Sequence, residues 1–512
     1  MSLSKALGRR VYAYPFALLL VVFIGVVSRI AYVDRPMDHR SLNAWREADY
    51  TQVTRNFYRG DMNILYPQID WRGDTPGFVE MEFPIVPWMA AGLDRIFGYR
   101  ESMVRVPSLV ASLLALLLFA WLASRMLPPV GALFATTAFA VNPLLVHLSV
   151  SMQPEAMTLF WSLCAMALIW RWNEAPRHRT LLAACTMVAA AALCKSPAAY
   201  LGLVCSYVVL RKQGWHAFRD PINYGAALLM ILPPMAWYAW AHQFWLAYGN
   251  SLGLSNESHF LGWDMLLPPK FLVGNLRTET INVFSPAGWL LAIAGAAALP
   301  VRARIVWVWL ISIGTFYLVA ARTSGDDWAY YYHSHSVAPV SILMGAGVAA
   351  LHRGWLGAFW PRLKPVMERR ILVALSFLTI LSLALVTVRR IDQGDRSGGM
   401  AEMHYCAKYL QQYVEPNSLI VVRGGGSTDE YGKPVAFNES MVFTWMDRKG
   451  FNYPKDKLTE ELIESIRGRG GSYWFLDTRD LDKTELKRSI RSRYKLVAEC
   501  NGIFMLYDIS RP

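Results

Sequence analysis

The stretch Tyr14–Val33, YPFALLLVVFIGVVSRIAYV, decides the fold class. It is apolar for about 20 residues, the length that crosses a hydrocarbon core as a helix. Its one charge, Arg29, lies near the far end, where a long side chain can reach the interface. Lys5, Arg9 and Arg10 precede it, as they would a signal peptide. It runs too long for a signal h-region, no clear small-x-small cleavage site follows, and more apolar runs come after it. It therefore reads as a retained first span.

Outward from this segment, similar runs recur at 103–124, 128–147, 154–170, 180–195, 197–210, 221–245, 285–300, 305–321, 335–351 and 371–389, which makes eleven. None occurs after Arg390. The expected architecture is a polytopic α-helical membrane domain over residues 1–390, followed by a soluble α/β domain over 391–512.

The 512 residues carry a formal net charge of +13. With the N-terminus inside, the alternate loops facing that side hold seventeen Lys and Arg, against Glu174, Asp220 and Glu368 as their only acids. The whole basic excess therefore sits on one side, as the positive-inside rule requires. The charge is an orientation signal and excludes nucleic acid as its purpose. Cys164, Cys185, Cys194 and Cys205 fall within spans and read as small apolar filler. Cys406 and Cys500 lie in the tail, outside on this topology, where a disulfide is open to them.

Three segments face outward: 34–102, 246–284 and the tail. In the first, Ala44–Tyr58 reads as a helix. Phe83–Phe97 is apolar, too short to span and interrupted by Asp94 and Arg95, so it reads as an interfacial helix. In the tail, Ser418–Arg423, Tyr473–Leu476, Lys495–Val497 and Ile503–Tyr507 read as strands. Leu458, Leu462 and Ile466 mark a helix, and Gln393–Gly399 reads as a linker.

The candidate chemistry collects in the outer segments. Trp45-Arg46-Glu47-Ala48-Asp49-Tyr50 leads to Arg55. At helical spacing Glu47 and Asp49 diverge by about 200°, and Arg46 is three residues from Asp49, near enough to pair. Glu80 and Glu82 precede the interfacial helix, where they either cap it or meet a ligand at headgroup depth. Glu155 opens the fourth span after Pro154. Lys195 closes the fifth, where it anchors the helix or holds a phosphate. Tyr331, His333 and His335 enter the tenth span from outside, close to Asp326 and Asp327. Their H-x-H spacing does not define a metal site. Separate loops thus bring carboxylates and cations to one face. Transfer of a sugar from a lipid phosphate needs both: a base for the acceptor hydroxyl, and cations for the departing phosphate.

On the motifs WREADYTQVTRNFY (45–58), NILYPQIDWRGD (63–74), VEMEFP (79–84), MQPE (152–155) and MDRKGF (446–451), the chain resembles the GT-C superfamily, specifically bacterial family-39-like enzymes. These include protein mannosyltransferases and the lipid A aminoarabinose transferase. The resemblance implies inverting transfer from a polyprenyl-phosphate sugar to a hydroxyl on a glycan, glycolipid or protein. It places the reaction at the outer face of a bacterial inner membrane, with the N-terminus cytoplasmic and the tail periplasmic. Glu47 or Asp49 is then the base, and Glu155 the second acid, holding acceptor or sugar. Arg46, Arg55 and Lys195 neutralise phosphate, and Tyr331, His333 and His335 line the lipid-phosphate region. Matching Tyr50 and Arg55 to the relatives puts Arg46 where their Asp stands. Glu82-Phe83-Pro84 stands where some carry Lys-Pro-Pro. A divalent metal is used by some relatives and not by others. The rival class is a lipid-sugar flippase or transporter, which would place ionisable groups near the midplane of repeated, broken helices. No repeat is apparent.

Overall fold

The structure, a computed structural model, describes residues 3–34, 37, 44–253, 269–320, 324–325, 327–392, 398–428, 437–480, 489–490 and 492–511. The chain forms two compact units. One comprises Met1–Asp34, Arg105–Ala236 and His259–Asp392. The other comprises Arg35–Val104, Trp237–Ser258 and Gln393–Pro512. The single boundary expected near residue 390 is not the division found: residues 35–104 and 237–258 group with the tail.

In the first unit the helices are α1 (Leu3–Ile30), α4 (Val106–Met126), α5 (Pro129–Ala140), α6 (Pro143–Ser149), α7 (Glu155–Glu174), α8 (His178–Cys194) and α9 (Leu201–Gln213). The series continues with α10 (Pro221–Tyr248), which belongs to this unit as far as Ala236 and to the second from Trp237, then α11 (Pro269–Arg277), α12 (Pro286–Ala297), α13 (Ile305–Val319), α14 (Ser334–His352) and α15 (Pro365–Asp392). Among the described residues four helical stretches are long and apolar enough to cross a membrane, or six if each of two bent pairs is one span. Eleven expected segments exceed that number. Helices α7 and α9 are interrupted by polar residues or short, which lowers their apolar length.

The bends were not legible in advance. The expected span 128–147 breaks between α5 and α6 by 53°. Pro143 opens α6, and the Asn142 side chain accepts from the Leu144 and Leu145 amides, capping it. The Asn142 amide also donates to Val283 O at 2.9 Å. Val283 belongs to a π-helical stretch, Thr278–Phe284, next to the second bend of 100° before α12. The sequence places that stretch in an expected outer loop. Arg29 does not reach an interface. It is fully buried and donates to Gly25 O and Ala140 O, both at 2.8 Å, and to Ser112 Oγ at 3.0 Å. Ala140 ends α5, where a carbonyl lacks an intrahelical donor; Arg29 supplies it. Helices α12 and α14 approach closely at glycines: a Cβ on Gly295 would lie 1.8 Å from Leu343 O.

The second unit contains α2 (Ala44–Arg59) and α3 (Ile85–Phe97), the two helices expected in the first outer segment. Its α/β part has α16 (Gly398–Leu410), β1 (Leu419–Arg423), α17 (Met441–Met446), β2 (Lys449–Tyr453), α18 (Glu460–Gly468), β3 (Gly471–Asp477), β4 (Lys495–Cys500) and β5 (Phe504–Asp508). Strand order is β2-β1-β3-β5-β4, with β2, β1 and β3 parallel and β5 antiparallel to both β3 and β4. All four expected strands form. Strand β2 is not among the expected strands: it starts at Lys449 inside MDRKGF, and its sequence KGFNY has neither an apolar run nor a strict alternation. Helix α18 starts at Glu460 with Thr459 as its cap, so Leu458 precedes it, and Ile463 joins Ile466 in the core. The expected linker Gln393–Gly399 lies mostly outside the described residues.

Cys406 on α16 and Cys500 at the end of β4 form a disulfide across a Cα–Cα distance of 5.6 Å. It closes a 94-residue separation, so its loss is expected to cost the tail about 2–5 kcal/mol. The paired Cys406→Ser, Cys500→Ser variant, compared with wild type by urea unfolding monitored at the tail tryptophans, checks this.

Candidate functional site

Helix α2 is the spine of the site in the second unit. Although strongly polar, it is buried almost throughout, from Ala44 and Glu47 to Phe57. Polar groups in such a place must find partners. Arg46 donates to Glu82 Oε1 at 3.1 Å, and Tyr50 OH to Glu82 Oε2 at 3.2 Å. Arg46 is thus paired with Glu82, while the expected i,i+3 link to Asp49 is only an electrostatic one. Asp49 Oδ1 accepts from Trp71 Nε1 at 2.8 Å and from Ser440 Oγ. Burial pushes the Asp49 pKa up to about 7 against these two donors. Beside it, Glu439 is also lifted to about 7, chiefly by desolvation.

Helix α17 lies along the next face of α2. Gln52 Nε2 donates to Ser440 O at 2.7 Å and Thr444 Oγ1 at 2.9 Å, and Gln52 Oε1 accepts from the Asp70 amide. Arg55 is bonded to Asp70 and reaches Asp447 at 2.9 Å. It is buried between two carboxylates rather than open to a phosphate. Asp447 sits at positive φ just past α17 and also takes a two-pronged pair from Arg59. MDRKGF therefore ties the tail to α2 and the segment after it. A second tie runs through Gly73, at φ +61, whose amide donates to Gly450 O at 2.7 Å; a Cβ there would press on the Phe451 ring.

Neither Glu80 nor Glu82 caps α3, whose N-cap is Pro84 with no side-chain hydrogen bond. Glu80 instead contacts His242 Nδ1 at 2.9 Å and accepts from Ser251 Oγ at 2.6 Å. His242 and Ser251 carried no signal in the sequence, because no spacing links them to residue 80.

In the other unit, Glu155 occupies the first position of α7 and Lys195 the C-cap of α8. Lys195 Nζ lies 2.6 Å from Glu155 Oε1, and both are almost wholly buried. The ammonium also stands 4.8 Å from the Tyr331 ring centroid and 5.3 Å from that of Tyr332, a cation–π arrangement. The expected Tyr331 is thus brought to Lys195. His335 Nδ1 is 3.5 Å from Tyr200 OH. His333 turns elsewhere: Nδ1 meets Glu279 Oε1 at 3.1 Å and Nε2 meets Ser324 O at 3.0 Å. The two histidines therefore do not share a ligand. Tyr317 OH also donates to Glu279, at 2.9 Å. Glu279 is not among the expected site residues, because its segment reads as outer loop in the sequence. Of the neighbouring expected residues, Asp326 lies outside the described ones. Among the described residues no group of three or more His, Cys, Asp or Glu is arranged to hold a metal ion.

Residues 75–240 match the family described as dolichyl-phosphate-mannose-protein mannosyltransferase, a stretch that includes Glu80, Glu82, Glu155 and Lys195. No curated protein sequence matches the chain. Among solved structures, ArnT from Cupriavidus metallidurans in the apo state is similar at 13% identity and a TM-score of 0.61, with 98% of each chain covered. The same protein bound to undecaprenyl phosphate gives 14% and 0.60, covering 96% of this chain and 97% of that one. The oligosaccharyltransferase AglB from Archaeoglobus fulgidus, in complex with an inhibitory peptide and a dolichol-phosphate, gives 12% and 0.58, covering 98% and 74%. At such identities the likeness is one of fold, and it agrees with the resemblance read from the local motifs.

Proposed function

The chain has the fold of the GT-C membrane glycosyltransferases, and from that premise we propose that it transfers a sugar from a polyprenyl-phosphate donor to a hydroxyl acceptor with inversion. The outer face of a bacterial inner membrane is the place of reaction. The carrying observation is the buried Lys195–Glu155 pair against the Tyr331 ring. A buried ammonium at the end of a membrane-type helix is costly and fits the phosphate of a lipid carrier. Lys195 stabilises the departing phosphate, and Glu155 orients that ammonium and meets the sugar or acceptor hydroxyls.

One carboxylate of the pair Glu47 and Asp49 takes the acceptor proton. The two diverge by about 200° on α2, so single variants separate them. Asp49 is suited by its pKa of about 7, near the pH at which a base works best. Its folded pKa is raised, so the stability linked to its protonation is full at low pH and is lost as pH rises through about 7. Activity runs the opposite way, since the base must be ionised. If Asp49 is the base, release of polyprenyl phosphate rises with pH through about 7. Asp49→Asn then lowers it roughly 10²–10⁴-fold and removes that limb. A limb retained in Asp49→Asn, with activity lost in Glu47→Gln, transfers the role to Glu47. Full release by the double variant Glu47→Gln, Asp49→Asn removes the proposed chemistry altogether.

A transporter reading would place its ionisable groups in repeated, broken helices; Glu279 lies in one bent pair, but Glu47, Asp49, Glu155 and Lys195 lie outside both.

A further inference from the structure

The motif NILYPQIDWRGD contains three residues, Asn63, Tyr66 and Gln68, that the transfer chemistry leaves unused. They line a cavity of about 360 Å³ in the second unit, together with Asn56, Asp61 and Phe78. We propose that this cavity is a subsite for a neutral sugar ring of the acceptor glycan. The inference rests on the transferase reading for the word acceptor, and on the cavity alone for the word sugar.

The wall chemistry carries it. Asn56 Nδ2 is spent on Gln68 O at 2.9 Å and Asp70 Oδ1 at 3.0 Å, which leaves its Oδ1 to the cavity. Asn63 Oδ1 accepts from the Leu65 amide, and Asp61 Oδ1 from the Asn63 amide, which leaves Asn63 Nδ2 and Asp61 Oδ2. The Gln68 amide and the Tyr66 hydroxyl make no side-chain hydrogen bond to another described residue. The wall therefore offers donors and acceptors in mixture, the complement of hydroxyls that do both. It contains no Lys or Arg, and Asp61 repels anions, so a phosphate is excluded as the ligand.

The apolar part of the wall suits the C–H face of a sugar ring. Tyr66 and Phe78 pack at 5.1 Å between centroids and are only partly buried. Behind them Trp240 and Phe244 lie 5.6 and 5.7 Å from Tyr66, fixing the ring. Trp240 Nε1 in turn donates to Leu65 O at 3.0 Å. Such a small set of polar groups on a rigid aromatic base, at the lower end of the ~300–1,000 Å³ range of ligand sites, fits one or two sugar rings.

Position assigns the ring to the acceptor. Asn56 follows Asp49 by seven residues on α2, about 10 Å along the axis at ~1.5 Å per residue. A ring held there is a neighbour of the reacting unit. The donor's sugar adjoins its phosphate and needs cations, which this wall lacks.

Saturation-transfer NMR on the full chain in lipid nanodiscs, with the methyl glycosides of glucose, galactose, mannose and N-acetylglucosamine as probes, tests the site without turnover. At least one glycoside is expected to bind. Gln68→Ala and Asn63→Ala are each expected to weaken it roughly ten-fold. In a transfer assay Gln68→Ala raises the acceptor KM and leaves the donor KM alone. No binding at millimolar glycoside, binding undiminished in both variants, or displacement by inorganic phosphate overturns the sugar site. A rise in donor KM instead gives the cavity to the donor and overturns the acceptor assignment. Glycoside binding in a protein that releases no polyprenyl phosphate keeps the sugar site and overturns the transferase reading alone.

Discussion

Lys195→Met is expected to abolish release of polyprenyl phosphate, by roughly 10²–10³-fold or more, and to destabilise the protein at the same time. The first effect follows from removing the cation that meets charge building on the leaving oxygen. The second follows from Glu155, whose carboxylate stays almost wholly buried and 2.6 Å from an empty position. Breaking such a pair from one side costs about 3–5 kcal/mol. The two effects separate in the double variant Glu155→Gln, Lys195→Met. Without an uncompensated charge it should recover most of the thermal stability measured in detergent, while release stays absent. Recovery of activity along with stability would show that the pair only holds α7 to α8.

Arg55→Met carries the other large effect, and it falls on stability. Arg55 is buried between Asp70 and Asp447, with its guanidinium also donating to Thr444 O at 3.3 Å. Its removal leaves Asp70 buried with Asn56 as its one remaining side-chain donor among the described residues, and deprives Asp447 of one of the two arginines that bond it. A loss of about 3–5 kcal/mol is expected. Limited proteolysis of the tail and the thermal midpoint both report it. Arg55→Lys should recover only part, because one ammonium does not span two carboxylates as a guanidinium does. An unchanged midpoint in Arg55→Met would show that Arg59 alone secures Asp447, and would return Arg55 to the list of groups available to a phosphate.

Glu82 and Glu80 show how a sequence reading goes astray at polar positions. Two acids before an apolar helix suggest caps. Once folded, each is held by residues from another segment: Glu82 by Arg46 and Tyr50, Glu80 by His242 and Ser251. The same holds for Arg29, placed by hydropathy at an interface and found satisfying the broken end of α5.

What the sequence determined by itself was whatever depends on neighbours along the chain. Apolar runs of membrane length, the basic bias of alternate loops, the helical reading of Ala44–Tyr58 and the apolar runs of four tail strands are all local, and so are the short motifs that carry the GT-C resemblance. The tertiary structure alone decided the pairings: Asp49 with Ser440, Arg55 with Asp447, Lys195 with Glu155 and Cys406 with Cys500. Partners 391, 392, 40 and 94 positions apart leave no periodic trace. A buried charge takes whichever partner the packing of other segments delivers, and that packing is set by the whole core rather than by the residues on either side.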